Sequence, residues 1–122
     1  MKIISINVIG MGGSVKRQYI KDIIWKEQVD MVCIQETKSR NLELALISSL
    51  WGSNDVGWVE NEAHQNVGSL LTMWCCNSFE LTSFINGANY SIVEGLWKER
   101  GRKPIIVVNV YGCRTLCEKS KA

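Results

Sequence analysis

The sequence predicts an α/β fold in a single domain. Its first 36 residues alternate a β-like, a helical and a second β-like segment, which is the pattern of a βαβ unit. From Gly57 onward, short β-like runs are separated by Asn and Gly, as in an antiparallel meander or sandwich sheet. A chain of 122 residues supports one modest core. We therefore expect one domain over residues 1–122.

The first three elements follow from hydrophobic periodicity. Lys2–Val8 alternates Ile with smaller or polar residues and predicts a strand. Ser14 is the expected N-cap of an amphipathic helix that runs to about Gln28. Val29–Ile34 is a compact apolar run and predicts a strand buried on both faces. The apolar positions of the helix recur at spacings of three to four residues: Val15, Tyr19, Ile20, Ile23 and Ile24.

A second helix and five more strands complete the expected order. Leu42–Trp51 is the second helix, with Asn41 as its cap and Gly52 at its end. Asn86-Gly87 is a turn signal. Ile105–Val108 is the most apolar part of the chain, so its strand should be central in the sheet. The five strands are predicted over Gly57–Glu60, Ser69–Cys75, Phe79–Ile85, Tyr90–Trp97 and Pro104–Tyr111.

Composition excludes several classes of protein. No apolar run approaches the roughly 20 residues of a membrane span, and the N-terminus lacks the features of a signal peptide. The five cysteines form no Cys-x-x-Cys pair, and the only histidine, His64, is distant in sequence from Cys113 and Cys117. A zinc site is therefore not expected. These features predict a soluble intracellular protein with reduced thiols, no membrane partner and no small-molecule cofactor.

Four polar residues stand at the C-terminal ends of predicted strands: Asn7, Glu36, Asn109 and Tyr111. This edge of an α/β sheet is where sites are usually built. Phosphodiester hydrolysis needs a hard cation held by carboxylate oxygen, together with neutral groups that bind oxygens or orient water. Glu36 would supply the carboxylate, Asn7 the amide and Tyr111 the hydroxyl.

Each of these residues also has an ordinary structural interpretation. Glu36 alone is more often a solvent-exposed strand end, Asn7 a turn former and Tyr111 a core-edge residue with a wet hydroxyl. The net charge of +2 is too small to indicate binding to nucleic acid. The basic clusters Lys98–Lys103 and Arg114–Lys121 are interpreted as solvated surface. Only the combination of residues favours a site.

Three motifs resemble the endonuclease/exonuclease/phosphatase superfamily: Ser5-Ile6-Asn7-Val8, Ile34-Gln35-Glu36-Thr37 and Val108-Asn109-Val110-Tyr111-Gly112. The segments Ile9–Arg17 and Gly68–Trp74 are similar to the endonuclease domain of plant non-LTR (LINE-type) retrotransposons. The resemblance implies the N-terminal, incomplete portion of a four-layer α/β sandwich. It also implies cleavage of DNA with Mg²⁺ or Mn²⁺, and it allows a nuclear location.

By the same resemblance, Glu36 and Asn7 would be the metal residues. Tyr111 would contact the scissile phosphate as a third catalytic residue, and Asn109 would bind substrate. The later motifs of the superfamily, Asp-x-Asn and Ser-Asp-His, do not occur in this sequence. His64 cannot replace the terminal histidine by motif.

Three functions follow as hypotheses. The first is a fragment of a DNA endonuclease that is inactive alone. The second is a non-catalytic relic, or a fragment that binds nucleic acid or a partner without turnover. The third is a split enzyme that a partner completes.

Overall fold

The structure is a computed structural model that describes residues 1–38, 42–62 and 69–111. These residues form two sheets and three helices. The strands are β1 (Ile3–Asn7), β2 (Met31–Gln35), β3 (Val56–Asn61), β4 (Leu70–Cys75), β5 (Phe79–Asn86), β6 (Tyr90–Trp97) and β7 (Lys103–Val110). The helices are α1 (Ser14–Glu27), α2 (Leu44–Trp51) and α3 (Glu99–Arg102).

The first sheet has the strand order β1-β2-β4-β3. Strands β1 and β2 are parallel, in a register from Ile3 opposite Met31 to Asn7 opposite Gln35, which confirms the predicted βαβ unit. Strands β3 and β4 join this sheet as antiparallel neighbours. The sequence had grouped them with the later strands, and that grouping is wrong. Almost every residue of β4 is buried, so the strand needs cover on both faces.

Helices α1 and α2 cover one face of the first sheet and the second sheet covers the other. Ile20 and Ile24 of α1 and Ile47 of α2 pack with the β2 and β4 side chains on the helix side. Met31 and Trp74 are on the opposite side, with residues of the second sheet. The described residues therefore form three layers of the predicted sandwich.

Helix α1 buries a narrower face than the sequence predicted. Ile20 and Ile24 are buried, but Val15 is 81% exposed and Tyr19 is also exposed. Val15 and Tyr19 are four residues apart, as Ile20 and Ile24 are. Around the helix axis, however, they lie about 100° or more away from Ile20 and Ile24, and so on a different face. The predicted Ser14 cap is also wrong, because Ser14 is the first helical residue and Gly13, which has no side chain to cap the helix, holds the N-cap position.

Helix α2 ends where predicted but begins at Leu44, two residues later than the predicted Leu42. Ile47 and Leu50 are buried, and Gly52 ends the helix with φ of 96°. The Gly52 N–H donates to the Ser48 carbonyl oxygen (2.8 Å), which is a C-terminal cap. The Asn41 cap prediction is wrong, because Glu43 holds the N-cap position; Asn41 itself lies outside the described residues. No helix among the described residues has the length and hydrophobicity that crossing a bilayer requires.

The second sheet is an antiparallel meander with the order β5-β6-β7. Strand β7 is an edge strand among the described residues, so its predicted central position is wrong. Ile105 and Val107 pack toward the first sheet, whereas Ile106 is 64% exposed on the outer face. The apolar run Ile105–Val108 predicted a central position, but among the described residues β7 has a neighbour on one side only and is covered on one face only.

Cys33 gives a test of the buried β2 strand. Its thiol is buried, and burial raises the pKa to about 11, so little reactive thiolate forms near neutral pH. Cys76 is exposed. We expect iodoacetamide at pH 8 to label Cys76 in the folded protein and to leave Cys33 unlabelled until guanidinium is added. Peptide mass spectrometry measures this, and equal labelling rates at the two thiols would contradict the burial.

Candidate metal and phosphate site

The site begins where β1 and β2 end side by side. Asn7 lies opposite Gln35 in the parallel register, so Glu36 is the next residue beyond that pair. The Val8 N–H donates to the Gln35 carbonyl oxygen (3.1 Å), and the two chains leave the sheet together. The predicted adjacency of Asn7 and Glu36 along one edge of the sheet therefore follows from parallel pairing.

Backbone hydrogen bonds continue this pairing into the loops. The Gly10 N–H donates to the Glu36 carbonyl oxygen (2.6 Å), and the Met11 N–H donates to the Thr37 carbonyl oxygen (2.8 Å). The Thr37 N–H donates in turn to the carbonyl oxygen of Ser69 (3.2 Å), and the two hydroxyls are also hydrogen-bonded. The three chain segments form one connected rim.

Three non-glycine residues of this rim have left-handed backbone angles: Ile9 (φ 49°), Glu36 (φ 57°) and Lys38 (φ 53°). This conformation costs roughly 1–2 kcal/mol for an L residue, and it is an outlier for a β-branched side chain such as Ile9. Strained residues cluster at ligand sites when the surrounding structure holds them in place. The backbone bonds of Gly10 and Met11 supply that support here.

The two candidate metal residues differ in their surroundings. The Asn7 side chain is exposed, and its Oδ1 accepts a hydrogen bond from the Ile9 N–H (3.2 Å). That contact is a local turn, as the alternative interpretation of Asn7 proposed, and it leaves the second lone pair of Oδ1 for a ligand. Glu36 is half-buried, and no described residue pairs with its carboxylate.

Tyr111 reaches the same end of the molecule from the second sheet. Its N–H donates to the Asn89 carbonyl oxygen (2.8 Å), which extends the ladder of β7 by one residue. Side chains alternate along an extended chain, so Tyr111 is on the same face of the second sheet as Asn109. Asn109 contacts the end of β2 directly. Strand β7 therefore ends beside the end of β2, and convergence of Tyr111 with Asn7 and Glu36 stays a prediction.

Asn109 lies behind this rim, between the two sheets. It is 1% exposed, and its Oδ1 accepts a hydrogen bond from Gln35 Nε2 (2.8 Å). Its Nδ2 donates to the Leu71 carbonyl oxygen (3.2 Å) and Thr72 Oγ1 (3.2 Å). A direct contact between Asn109 and substrate stays a prediction. Sequence reasoning missed Gln35, although a carboxamide within an apolar strand is a signal because it needs buried partners.

Three cationic side chains surround the loop after β1. Lys16 Nζ donates to the Ile9 carbonyl oxygen (2.7 Å), and Arg17 Nε donates to the Met11 carbonyl oxygen (3.0 Å). The Lys38 side chain lies beside Gly10, where an added Cβ would come 3.8 Å from Lys38 Cδ. The positions of these three side chains favour binding of an anionic phosphate.

The residues present fit a hard cation that keeps most of its water. Among the described residues, no group of three or more His, Cys, Asp or Glu side chains lies close enough to hold a metal ion. Glu36 and Asn7 offer one carboxylate and one amide oxygen. Mg²⁺ is commonly held by one or two carboxylates with several waters, so this donor set suits weak binding of Mg²⁺ or Mn²⁺. His64, Cys113 and Cys117 lie outside the described residues.

Comparison with known proteins gives the fold. No protein-family model and no curated protein matches the chain. The AP endonuclease LMAP from Leishmania major matches with a TM-score of 0.63 and 18% identity, covering 98% of this chain and 43% of that one. The catalytic domain of Xenopus laevis APE2 matches with a TM-score of 0.62 and 17% identity, covering 93% of this chain and 46% of that one. A humanized TDP2 from D. rerio with 14 mutations matches with a TM-score of 0.61 and 14% identity, covering 96% of this chain and 50% of that one.

These similarities confirm the predicted fold class. The chain spans about half the length of each of these structures. Their shared architecture agrees with the two packed sheets and the helix layer described above. The chain therefore has the α/β fold of the endonuclease/exonuclease/phosphatase-like structures, over the portion that its residues cover.

Proposed function

We propose that this chain carries the cation- and phosphate-binding part of a divalent-metal-dependent phosphodiesterase that acts on DNA, of the retrotransposon endonuclease type. The observation that carries the proposal is that Asn7 and Glu36 stand at adjacent, hydrogen-bonded strand ends, where Ile9 and Glu36 have left-handed backbone angles. One solved structure with this fold is an AP endonuclease, and that name supports a nuclease reaction. A plant LINE origin and a nuclear location belong to the same proposal.

Each residue of the rim has a distinct role in this proposal. Glu36 and Asn7 would hold Mg²⁺ or Mn²⁺, which as a Lewis acid offsets charge that develops on the phosphate. Tyr111 would donate a hydrogen bond from its hydroxyl to an oxygen of the scissile phosphate. Lys16 and Lys38 would bind neighbouring phosphates and so fix the position of the DNA strand.

On its own, the 122-residue chain is proposed to bind without turnover. The sequence offers no Asp-x-Asn or Ser-Asp-His motif to orient and deprotonate water. A positioned general base typically contributes about 10²- to 10⁴-fold in rate. Binding of nucleic acid without cleavage is the second candidate function, and the three cations around the β1–α1 loop favour it.

A Mn²⁺ titration tests the proposed metal residues. We expect the wild-type chain to bind Mn²⁺ weakly, and Glu36→Gln to raise the Kd at least about tenfold, equivalent to roughly 1.4 kcal/mol. Asn7→Ala should weaken binding by a smaller factor, since an amide oxygen is a neutral ligand. Isothermal titration calorimetry, or electron paramagnetic resonance of free Mn²⁺, measures both.

The matched control is Glu94→Gln, because Glu94 is exposed and points away from the first sheet on β6. It removes the same charge and should leave the Kd unchanged. Equal affinity in the wild type, Glu36→Gln and Glu94→Gln would refute the site. In a plasmid assay with Mg²⁺ or Mn²⁺ we expect no nicking. Nicking that Glu36→Ala removes would overturn the proposed inactivity.

A further inference from the structure

A polar contact joins the two sheets directly behind Glu36. Gln35 Nε2 donates to Asn109 Oδ1 of β7 (2.8 Å), and it also lies 2.9 Å from Ser5 Oγ of β1. Asn109 Nδ2 lies 3.3 Å from the Ile34 carbonyl oxygen and 3.2 Å from that of Leu71. The two carboxamides thus connect three strands of the first sheet to β7 of the second.

We propose that Gln35 and Asn109 are positioning residues, which hold the backbone of β2 so that Glu36 stays at the rim. This inference rests on the proposed function, because that proposal makes Glu36 a metal ligand. Gln35 is the last residue of β2, and the chain enters the left-handed conformation at the next residue. The contact with Asn109 therefore fixes the chain immediately before its strained turn.

Stability alone does not require the hydrogen bonds between Gln35 and Asn109. Gln35 and Asn109 are both buried, and burial of a carboxamide is unfavourable unless its hydrogen bonds are made. Replacing both partners of a buried hydrogen bond by apolar groups of similar shape can be nearly neutral for stability. Fully bonded polar networks instead specify one arrangement of the groups around them. This arrangement is adjacent to the candidate metal residue.

The network also aligns the two sides of the site. Asn109 is two residues before Tyr111, and Gln35 is one residue before Glu36. A contact between the first members of these pairs fixes the second members relative to each other. Asn61 of β3 also joins the sheets at this end, through the Gly87 and Tyr90 carbonyl oxygens, but that contact does not involve β2 or β7.

Two single variants and one double variant test the positioning role: Asn109→Leu, Gln35→Leu and their combination. We expect each single change to raise the Kd for Mn²⁺ about fivefold or more and to speed hydrogen exchange of the Gly10 and Met11 amides at least tenfold. These amides bond to Glu36 and Thr37, so their exchange reports on the rim itself. The Cys75 amide, at the opposite end of β4, is the internal reference.

The double variant separates positioning from stability. It leaves neither buried carboxamide facing an apolar side chain, although Thr72 Oγ1 still loses its bond to Asn109. Its unfolding midpoint should therefore recover part of the single-variant loss, while Mn²⁺ affinity and Gly10 protection stay low. Recovery of all three quantities together would overturn the proposal. Val93→Ala is the control, because Val93 is fully buried between the same sheets and away from the rim. It should lower the midpoint and leave Mn²⁺ affinity unchanged.

Failure of the proposed function remains distinguishable from failure of this inference. If the wild-type chain does not bind Mn²⁺, the metal assignment falls, but the exchange measurement still applies. Exchange at Gly10 and Met11 that rises in Asn109→Leu relative to Cys75 would then support the positioning role at the rim. Exchange that rises equally at all three amides, or at none, would overturn it.

Discussion

Gly95→Ala is expected to lower the free energy of unfolding by about 3 kcal/mol, at the upper end of the range for overpacked sites. Gly95 lies in β6 opposite Leu81, beside the register shift between Leu81 and Ser83. An added Cβ would come 2.1 Å from the Glu80 carbonyl oxygen and 2.6 Å from Phe79 Cζ. The first of these atoms belongs to the backbone of β5, so the strand itself must move.

Urea unfolding followed by tryptophan fluorescence measures this effect. Gly12→Ala is the matched control, because a Cβ at Gly12 meets nothing within 4 Å. That variant should change stability by no more than about 0.5 kcal/mol, as surface substitutions usually do. A Gly95→Ala protein that unfolds at the wild-type urea concentration would show that the tight approach of β5 and β6 is absent.

Local patterns in the sequence predicted the elements better than their pairing. The βαβ unit over residues 3–35 follows from periodicity and from the parallel connection rule, and it is present. The position of β4 between β2 and β3 is set by contacts far apart in sequence. Alternating apolar residues look the same in either sheet, so the pattern did not assign β3 and β4. The same reason explains the wrong central position of β7.

The candidate site shows the same division. Asn7 and Glu36 could be placed together because the carboxyl ends of parallel neighbours meet at one edge. The left-handed angles at Ile9 and Glu36 could not be predicted, since neither residue favours that conformation. The burial of Asn109 was missed for a related reason. A polar residue near a strand end is usually exposed, and only its partner Gln35 across the sheets makes burial favourable.

Phe79→Ala is expected to remove about 3–5 kcal/mol of stability, the usual range for a buried aromatic residue. Phe79 is 1% exposed and its ring meets the edge of Trp74 with centroids 5.5 Å apart at 78°. This contact joins β5 to β4 at the end of the sheets away from the rim. Because domains of this size are stable by about 5–15 kcal/mol, the variant should be partly unfolded at 37 °C.

Phe84→Ala is the matched control, since Phe84 is in the same strand but is 53% exposed. Its free energy of unfolding, measured in urea, should change by less than about 1 kcal/mol. Equal midpoints for the Phe79 and Phe84 variants would contradict the packing between the sheets. Phe79→Leu keeps most of the buried volume and should fold, so its Mn²⁺ affinity is informative. Unchanged affinity would place stability and metal binding at opposite ends of the same interface: Trp74 and Phe79 at one end, Gln35 and Asn109 at the other.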